Sequence, residues 1–271
     1  MTSLNAQSLP TYLRVEPTLS LQPLKRRLIM NVHFIIHEAF EAPGAYELWA
    51  QTRHHTITHS RVYLGETLPN NARNIDLLIV MGGPQNPNTT LSECAHFDSI
   101  AEQRLIRSAI DQHKLVIGIC LGAQLVGEAL GAAFSASPHP EIGNFPLTLT
   151  AAGKENPLFS HFGDSLDVGH WHNDMPGLTA DSKVIAVSEG CPRQIVAYSE
   201  LVYGFQCHME FTRDVVEQLI GHAGKHLDAT HDRPFINSIS TLRAHHYEEM
   251  NGKLYIFLDK LVEKYQYTQS A

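Results

Sequence analysis

The segment Gly118-Ile119-Cys120-Leu121-Gly122 constrains this chain more than any other. It follows the apolar run Leu115-Val116-Ile117 and precedes a helix-like stretch over residues 124–130. A cysteine between two glycines at a strand-to-helix junction is the thiol counterpart of a nucleophile elbow. The glycines permit a tight turn and leave room beside the sulfur. The following helix aims its N-terminal dipole and free N–H groups at the thiol, which favours the thiolate. A chain with such a junction should be an α/β protein that supplies a base and an orienting group elsewhere.

The flanking pattern agrees with that architecture. Residues 31–36 read as a buried first strand, and residues 45–54 as a helix after the Pro43-Gly44 loop. Residues 60–64 read as a second strand. The continuous apolar run over residues 76–81 suits a central parallel strand covered on both faces, and it stops at Gly82-Gly83-Pro84. Residues 97–113 have helical periodicity, and residues 114–119 form the strand that carries Cys120. Strands alternating with helices imply a mainly parallel sheet. The second half changes to short strand candidates at 146–150, 165–168, 183–187 and 194–198, some of which should pair antiparallel. Residues 203–208 read as a return to the main sheet. Residues 213–226 and 235–265 look helical, the latter with a break near Asn251-Gly252.

Composition narrows the function classes. The chain has 271 residues, 43% hydrophobic and 18% charged, enough for one large domain with a small appendage. A net charge of −8 gives no electrostatic reason to expect nucleic acid or an anionic membrane as a partner. No run approaches the roughly 18 apolar residues needed to span a bilayer. Cys94, Cys120, Cys191 and Cys207 show no CxxC pair and read as reduced thiols of a cytoplasmic protein. Among 17 histidines, the pairs His55/His59 and His170/His172 invite a metal reading, with the first pair on one helix face. No compact set of three or four ligands is visible, so no metal and no cofactor is expected. His245-His246 read as a solvated helix face.

Gln206-Cys207-His208-Met209-Glu210 supplies the missing partners of the thiol. If this segment ends a strand, period-two alternation puts His208 and Glu210 on one face. A base that takes the thiol proton and a carboxylate that orients it need that relationship.

With these residues the chain resembles the class I glutamine amidotransferases, and in particular stand-alone proteins similar to the amidotransferase domain of GMP synthase. The matching segments are Met81-Gly82-Gly83-Pro84, Gly118 to Gln124, Glu141-Ile142-Gly143, His170-Trp171-His172-Asn173-Asp174 and Gly204 to Glu210. The resemblance implies a three-layer, flavodoxin-like fold with a mainly parallel central sheet and C-terminal helices. It implies that Cys120 attacks the γ-carboxamide of glutamine, His208 is the base and Glu210 orients it. It also implies an oxyanion hole from the N–H groups of Gly83 and Leu121, and substrate binding by Gln124 and a loop with Trp171, His172 and Asn173. Ala123 stands where many relatives have His, and Cys207 and Met209 where Phe and Pro are common. None of these is a triad position. Cys207 reads as a packed, inert cysteine.

The activity expected is release of glutamate and ammonia from glutamine. Members of the family usually pass ammonia to a synthase domain or subunit. Here no ATP-using synthase domain fits after residue 220, and no GxxxxGK[ST] loop is present. An ammonia-accepting synthase subunit is therefore one implied partner. The alternatives are a γ-glutamyl peptidase acting on γ-glutamyl conjugates, and a catalytically silent binding module. The domain reading is an N-terminal extension over 1–29, the amidotransferase domain over 30–230, and a helical extension over 231–271. Residues 1–29 are poor in acids and end near Lys25-Arg26-Arg27, as a transit-like segment or a loose extension ahead of Met30. Deleting residues 1–29 is expected to leave soluble yield and activity unchanged; loss of either on that truncation would refute the reading.

Overall fold

The computed structural model describes residues 29–228 and 233–270. The expectations for residues 1–28, and the boundary placed between residues 230 and 231, lie outside the described residues. Four apolar strands form the parallel heart of the sheet. They are β1 (Asn31–Ile36), β3 (Leu77–Val80), β4 (Leu115–Ile119) and β9 (Val202–Phe205), and nearly every residue in them is buried. Burial on both faces explains their unbroken apolar runs. β2 (Thr56–Arg61) adds a parallel edge beside β1. Beyond β9 the sheet continues antiparallel through β8 (Ile195–Ala197), β7 (Lys183–Val187), β5 (Ser135–Leu149) and β6 (Ser165–Met175), in the order β2-β1-β3-β4-β9-β8-β7-β5-β6.

Helices cover both faces, which completes three layers. Alternate strand residues divide between them. Leu77, Ile79, Leu115 and Ile117 face α1 (Ala45–Thr52) and α7 (Glu248–Ser270), in a core with Trp49, Phe159 and Phe257. Leu78, Val80 and Val116 face α2 (Ser99–Asp111) and α3 (Leu121–Ala129), against Ile106, Leu125 and Val126. α4 (Ala151–Glu155), α5 (Arg213–Asp228) and α6 (Ile239–Ala244) complete the chain. Asp259 of α7 accepts hydrogen bonds from Trp49 Nε1 at 2.9 Å and Arg53 Nη2 at 2.8 Å, which clips α7 onto α1.

Several sequence expectations are corrected. The second strand is β2, five residues of which precede or include Ser60, and Val62–Leu64 is a 3-10 turn. Its alternation of exposed Thr56 and Thr58 with half-buried Ile57 and His59, typical of a sheet edge, hid it. His59 therefore lies on a strand, bonded to Glu47 at 2.9 Å, and shares no helix face with His55. β5 begins eleven residues before the expected strand. Pro138 and Pro140 mask it, because proline cannot donate to a ladder, and the pairing with β6 is irregular between Ala136 and Glu141. The C-terminal break falls at residues 245–247, so His245-His246 lie in a turn. Gly252 is inside α7, where a Cβ would meet nothing within 4 Å.

Phe257 is fully buried, with ring centroids 4.9 Å from Phe159 and 5.3 Å from Phe205. Phe257→Ala is expected to cost about 3–5 kcal/mol in urea unfolding, as large buried aromatic truncations do. A loss below about 1 kcal/mol would mean that α7 is not part of the core.

Candidate active site

The carboxyl ends of β4 and β9 lie side by side, with Gly118 opposite Gly204 and Ile119 opposite Phe205. Cys120 is the next residue after β4 and the N-cap of α3, at φ 51 and ψ −108. That backbone region is strained for a residue with a Cβ. Its N–H donates to Phe205 O at 2.7 Å, which ties the two strand ends together. The turn closes because position 122 is glycine: a Cβ there would stand 2.0 Å from Val80 O. The Cys120 thiol is almost buried and points at Trp171 O, 3.8 Å away.

The structure brings His208 and Glu210 to this thiol. β9 ends at Phe205, so the segment is not the strand end that alternation assumed. The chain turns instead, held by the bond from His208 N to Gly169 O at 2.7 Å. His208 Nδ1 lies 2.5 Å from Glu210 Oε1, and its ring stacks on Phe211. With Nδ1 engaged, Nε2 is the atom left for Cys120. Burial works against charge on His208, but the Glu210 carboxylate and Cys120 outweigh it and hold the imidazole well above its ordinary value.

Gly83 sits beside the elbow, where a Cβ would be 2.8 Å from Leu121 Cδ2. Two residues with no motif signature brace this turn. His37 Nδ1 is 2.9 Å from Gly82 O, and its Nε2 is 2.9 Å from Glu102 Oε2 on α2. Both side chains are buried. Burial opposes charge on His37, but Glu102 and the Gly82 carbonyl raise it above the usual imidazole value.

The expected substrate residues line a cleft of about 280 Å³ together with Phe40, Glu41, Gly83, Cys120, Asp174, Leu219 and His222. Gln124 is buried; its Nε2 donates to Gln206 Oε1 at 3.2 Å, while its Oε1 has no partner among the described residues. Trp171, His172 and Asn173 are on β6 rather than in a loop. The His172 ring is turned into the protein, with Nε2 3.3 Å from Glu141 Oε2 and 3.1 Å from Gln194 Nε2.

Glu141, His170 and His172 form a compact ligand-type group, with donor atoms within 4.8 Å of one another and all three residues buried. This corrects the expectation that no such set exists. Strand alternation made His170 and His172 neighbours, and only the pairing of β5 with β6 brings Glu141 opposite His172. Glu141 already accepts from Ser188 Oγ at 2.8 Å, Gln194 Nε2 at 2.5 Å and Gly190 N at 3.3 Å. Burial lowers His170 to about 3 and also lowers His172. The group is thus a satisfied carboxylate beside neutral imidazoles, and it braces the strand that carries Trp171 and Asn173.

Residues 46–220 match the class I glutamine amidotransferase family. The chain belongs to that family. It is 58% identical over 232 residues to the glutamine amidotransferase-like protein YfeJ of Salmonella typhimurium, covering 86% of this chain and 97% of YfeJ. It is similar to the solved structure of SMU.1228c with a TM-score of 0.84 and 46% identity, covering 86% of this chain and 99% of that one. A shorter match, 34% identical over 102 residues, joins 37% of the chain to 19% of the glutamine-hydrolyzing GMP synthase of Aquifex aeolicus. The family and fold expected from the motifs therefore hold. The amidotransferase match begins after the β1–α1 loop, so His37 and Glu41 lie outside it.

His37→Ala is expected to cost about 3–5 kcal/mol, because Glu102 is left buried without its partner. The raised His37 value contributes stability that is complete below the ordinary imidazole value of 6.5 and fades as pH rises through the folded-state value. The difference in Tm between wild type and variant should therefore narrow as pH rises above about 6.5. A constant difference would refute the charged pair.

Proposed function

We propose that this chain hydrolyses the γ-amide of glutamine through a γ-glutamyl thioester on Cys120, releasing glutamate and ammonia. The observation that carries the reading is His208, held by Glu210 at 2.5 Å beside the Cys120 thiol at the N-terminus of α3. His208 takes the thiol proton, and the thiolate attacks the γ-carbon. The N–H groups of Gly83 and Leu121 receive the developing oxyanion, where a donor is typically worth about 10²–10³ in rate. His208 returns the proton to the departing nitrogen as the C–N bond breaks. Water, deprotonated by His208, then attacks the thioester, and glutamate leaves with the thiol restored. Gln124, Trp171, His172 and Asn173 hold the amino-acid end of the substrate, Gln124 through its free Oε1 and His172 by fixing β6. No step requires a cofactor or a metal.

The GMP synthase relative, of which this chain matches 19%, supports a synthase as acceptor of the ammonia. A second reading, hydrolysis of γ-glutamyl conjugates, is favoured by the Phe40, Leu219 and His222 wall of the cleft, which offers room beyond a bare amide. A silent binding module would have no need of the His208–Glu210 contact. Four unpaired cysteines, including the proposed nucleophile, suit a reducing, cytoplasmic setting.

A glutamine-mimicking diazo-ketone should label Cys120. Cys120→Ala should abolish both labelling and glutamate release, and His208→Ala should lower the rate by about 10²–10⁴. Glutamate release that persists in Cys120→Ala would place the nucleophile elsewhere.

A further inference from the structure

We infer that Glu41 is a further catalytic carboxylate, forming a subsite that receives the leaving amine as His208 protonates it. The inference rests on the thioester reading above. Glu41 lies in the loop between β1 and α1 and lines the cleft with Cys120. Its carboxylate occupies the space left by the missing side chain of Gly82. The point where a Gly82 Cβ would stand is 2.3 Å from Glu41 Oε2, 3.4 Å from His208 Cε1 and 3.5 Å from Cys120 Cβ. One small volume therefore adjoins the nucleophile, the base and this second acid. His208 Cε1 is bonded to Nε2, the atom that carries the travelling proton.

Glu41 has no place in the bracing networks. Among the described residues no N–H or hydroxyl donates to its carboxylate, whereas Glu210, Glu102 and Glu141 each have a partner. Burial, reinforced by Glu210 and Glu38 and opposed by His208 and His37, pushes it up to about 7. A carboxyl group held there still has room for a hydrogen-bond donor. The reaction delivers one. As the C–N bond breaks, its electron pair stays on nitrogen, the His208 Nε2 proton moves to that nitrogen, and the leaving group becomes a basic amine. Glu41 accepts a hydrogen bond from that amine and stabilises the ammonium that it becomes on taking a further proton from solvent. The loop is anchored for this role, since Ala45 N donates to Glu210 O at 3.0 Å. Phe40, stacked on His222 at 3.8 Å, lines the same cleft as Glu41. That surface suits an amine bearing an apolar substituent as well as ammonia itself.

The test compares Glu41→Gln with wild type on glutamine, γ-glutamyl benzylamide and γ-glutamyl p-nitroanilide. The first two release basic amines; the anilide releases one too weakly basic to become a cation. Glu41→Gln should lower kcat/KM for the two basic amines by about thirtyfold or more, at least about tenfold beyond its effect on the anilide. The rate of diazo-ketone labelling at Cys120 in the variant reports that the nucleophile is intact. An equal loss on all three substrates, or no loss on any, overturns the leaving-group role while leaving the thioester reading in place. Wild type that releases no glutamate from any of the three overturns the thioester reading and this inference with it.

Discussion

The hydrogen bond from Cys120 N to Phe205 O joins the two strands on which the rest of the site depends. It closes the gap between β4, which ends in the thiol, and β9, after which the chain turns to His208 and Glu210. Because β4 and β9 are parallel and in register, their carboxyl ends open on the same edge of the sheet, where α/β proteins commonly bind ligands. The strained backbone at Cys120 costs about 1–3 kcal/mol, a sum that packed strands on both sides can hold in place. The strain aims the sulfur out of the sheet and into the cleft.

Around that junction three buried carboxylates hold histidines, each with a separate task. His208–Glu210 faces the thiol. His37–Glu102 grips the carbonyl of Gly82 and so holds the turn that carries the Gly83 N–H. His172–Glu141 keeps β6 against the cleft, which leaves the Trp171 carbonyl over the sulfur. In each case the carboxylate helps fix the orientation of the ring that it touches. Glu41 differs from all of these acids, because among the described residues no histidine or amide is bonded to its carboxylate, which lies in the space beside Gly82. Preorganised groups of the first kind position; a group of the second kind waits for a partner that chemistry brings.

The antiparallel half of the sheet was the least legible part of the chain. β5 contains Pro138, Pro140 and Pro146, and β6 mixes buried histidines with polar residues, so neither shows a clean alternation. Their long pairing supplies the regularity that the local pattern lacks. The same pairing assembles Glu141 with His170 and His172, which no spacing rule finds, since 29 or 31 positions separate the partners. His37, Glu41 and Glu102 were also invisible. They are single residues in unremarkable local contexts, and each acquires meaning only from what the fold brings against it.

By itself, the sequence determined the α/β class, the parallel core and the strand-to-helix elbow at Cys120, and it pointed to His208 and Glu210 as the expected partners of the thiol. These follow from short-range rules: apolar runs make buried strands, and glycines flank a turn that no larger residue could close. Tertiary structure alone decided how the thiol, the imidazole and the carboxylates meet. It replaced the expected strand at His208 with a turn, moved Trp171 and Asn173 from a loop to a strand, and placed Glu41 in the space beside Gly82. The reason is the range of the forces. Backbone preference is written within a few residues, whereas the position of a buried charge depends on every element packed around it.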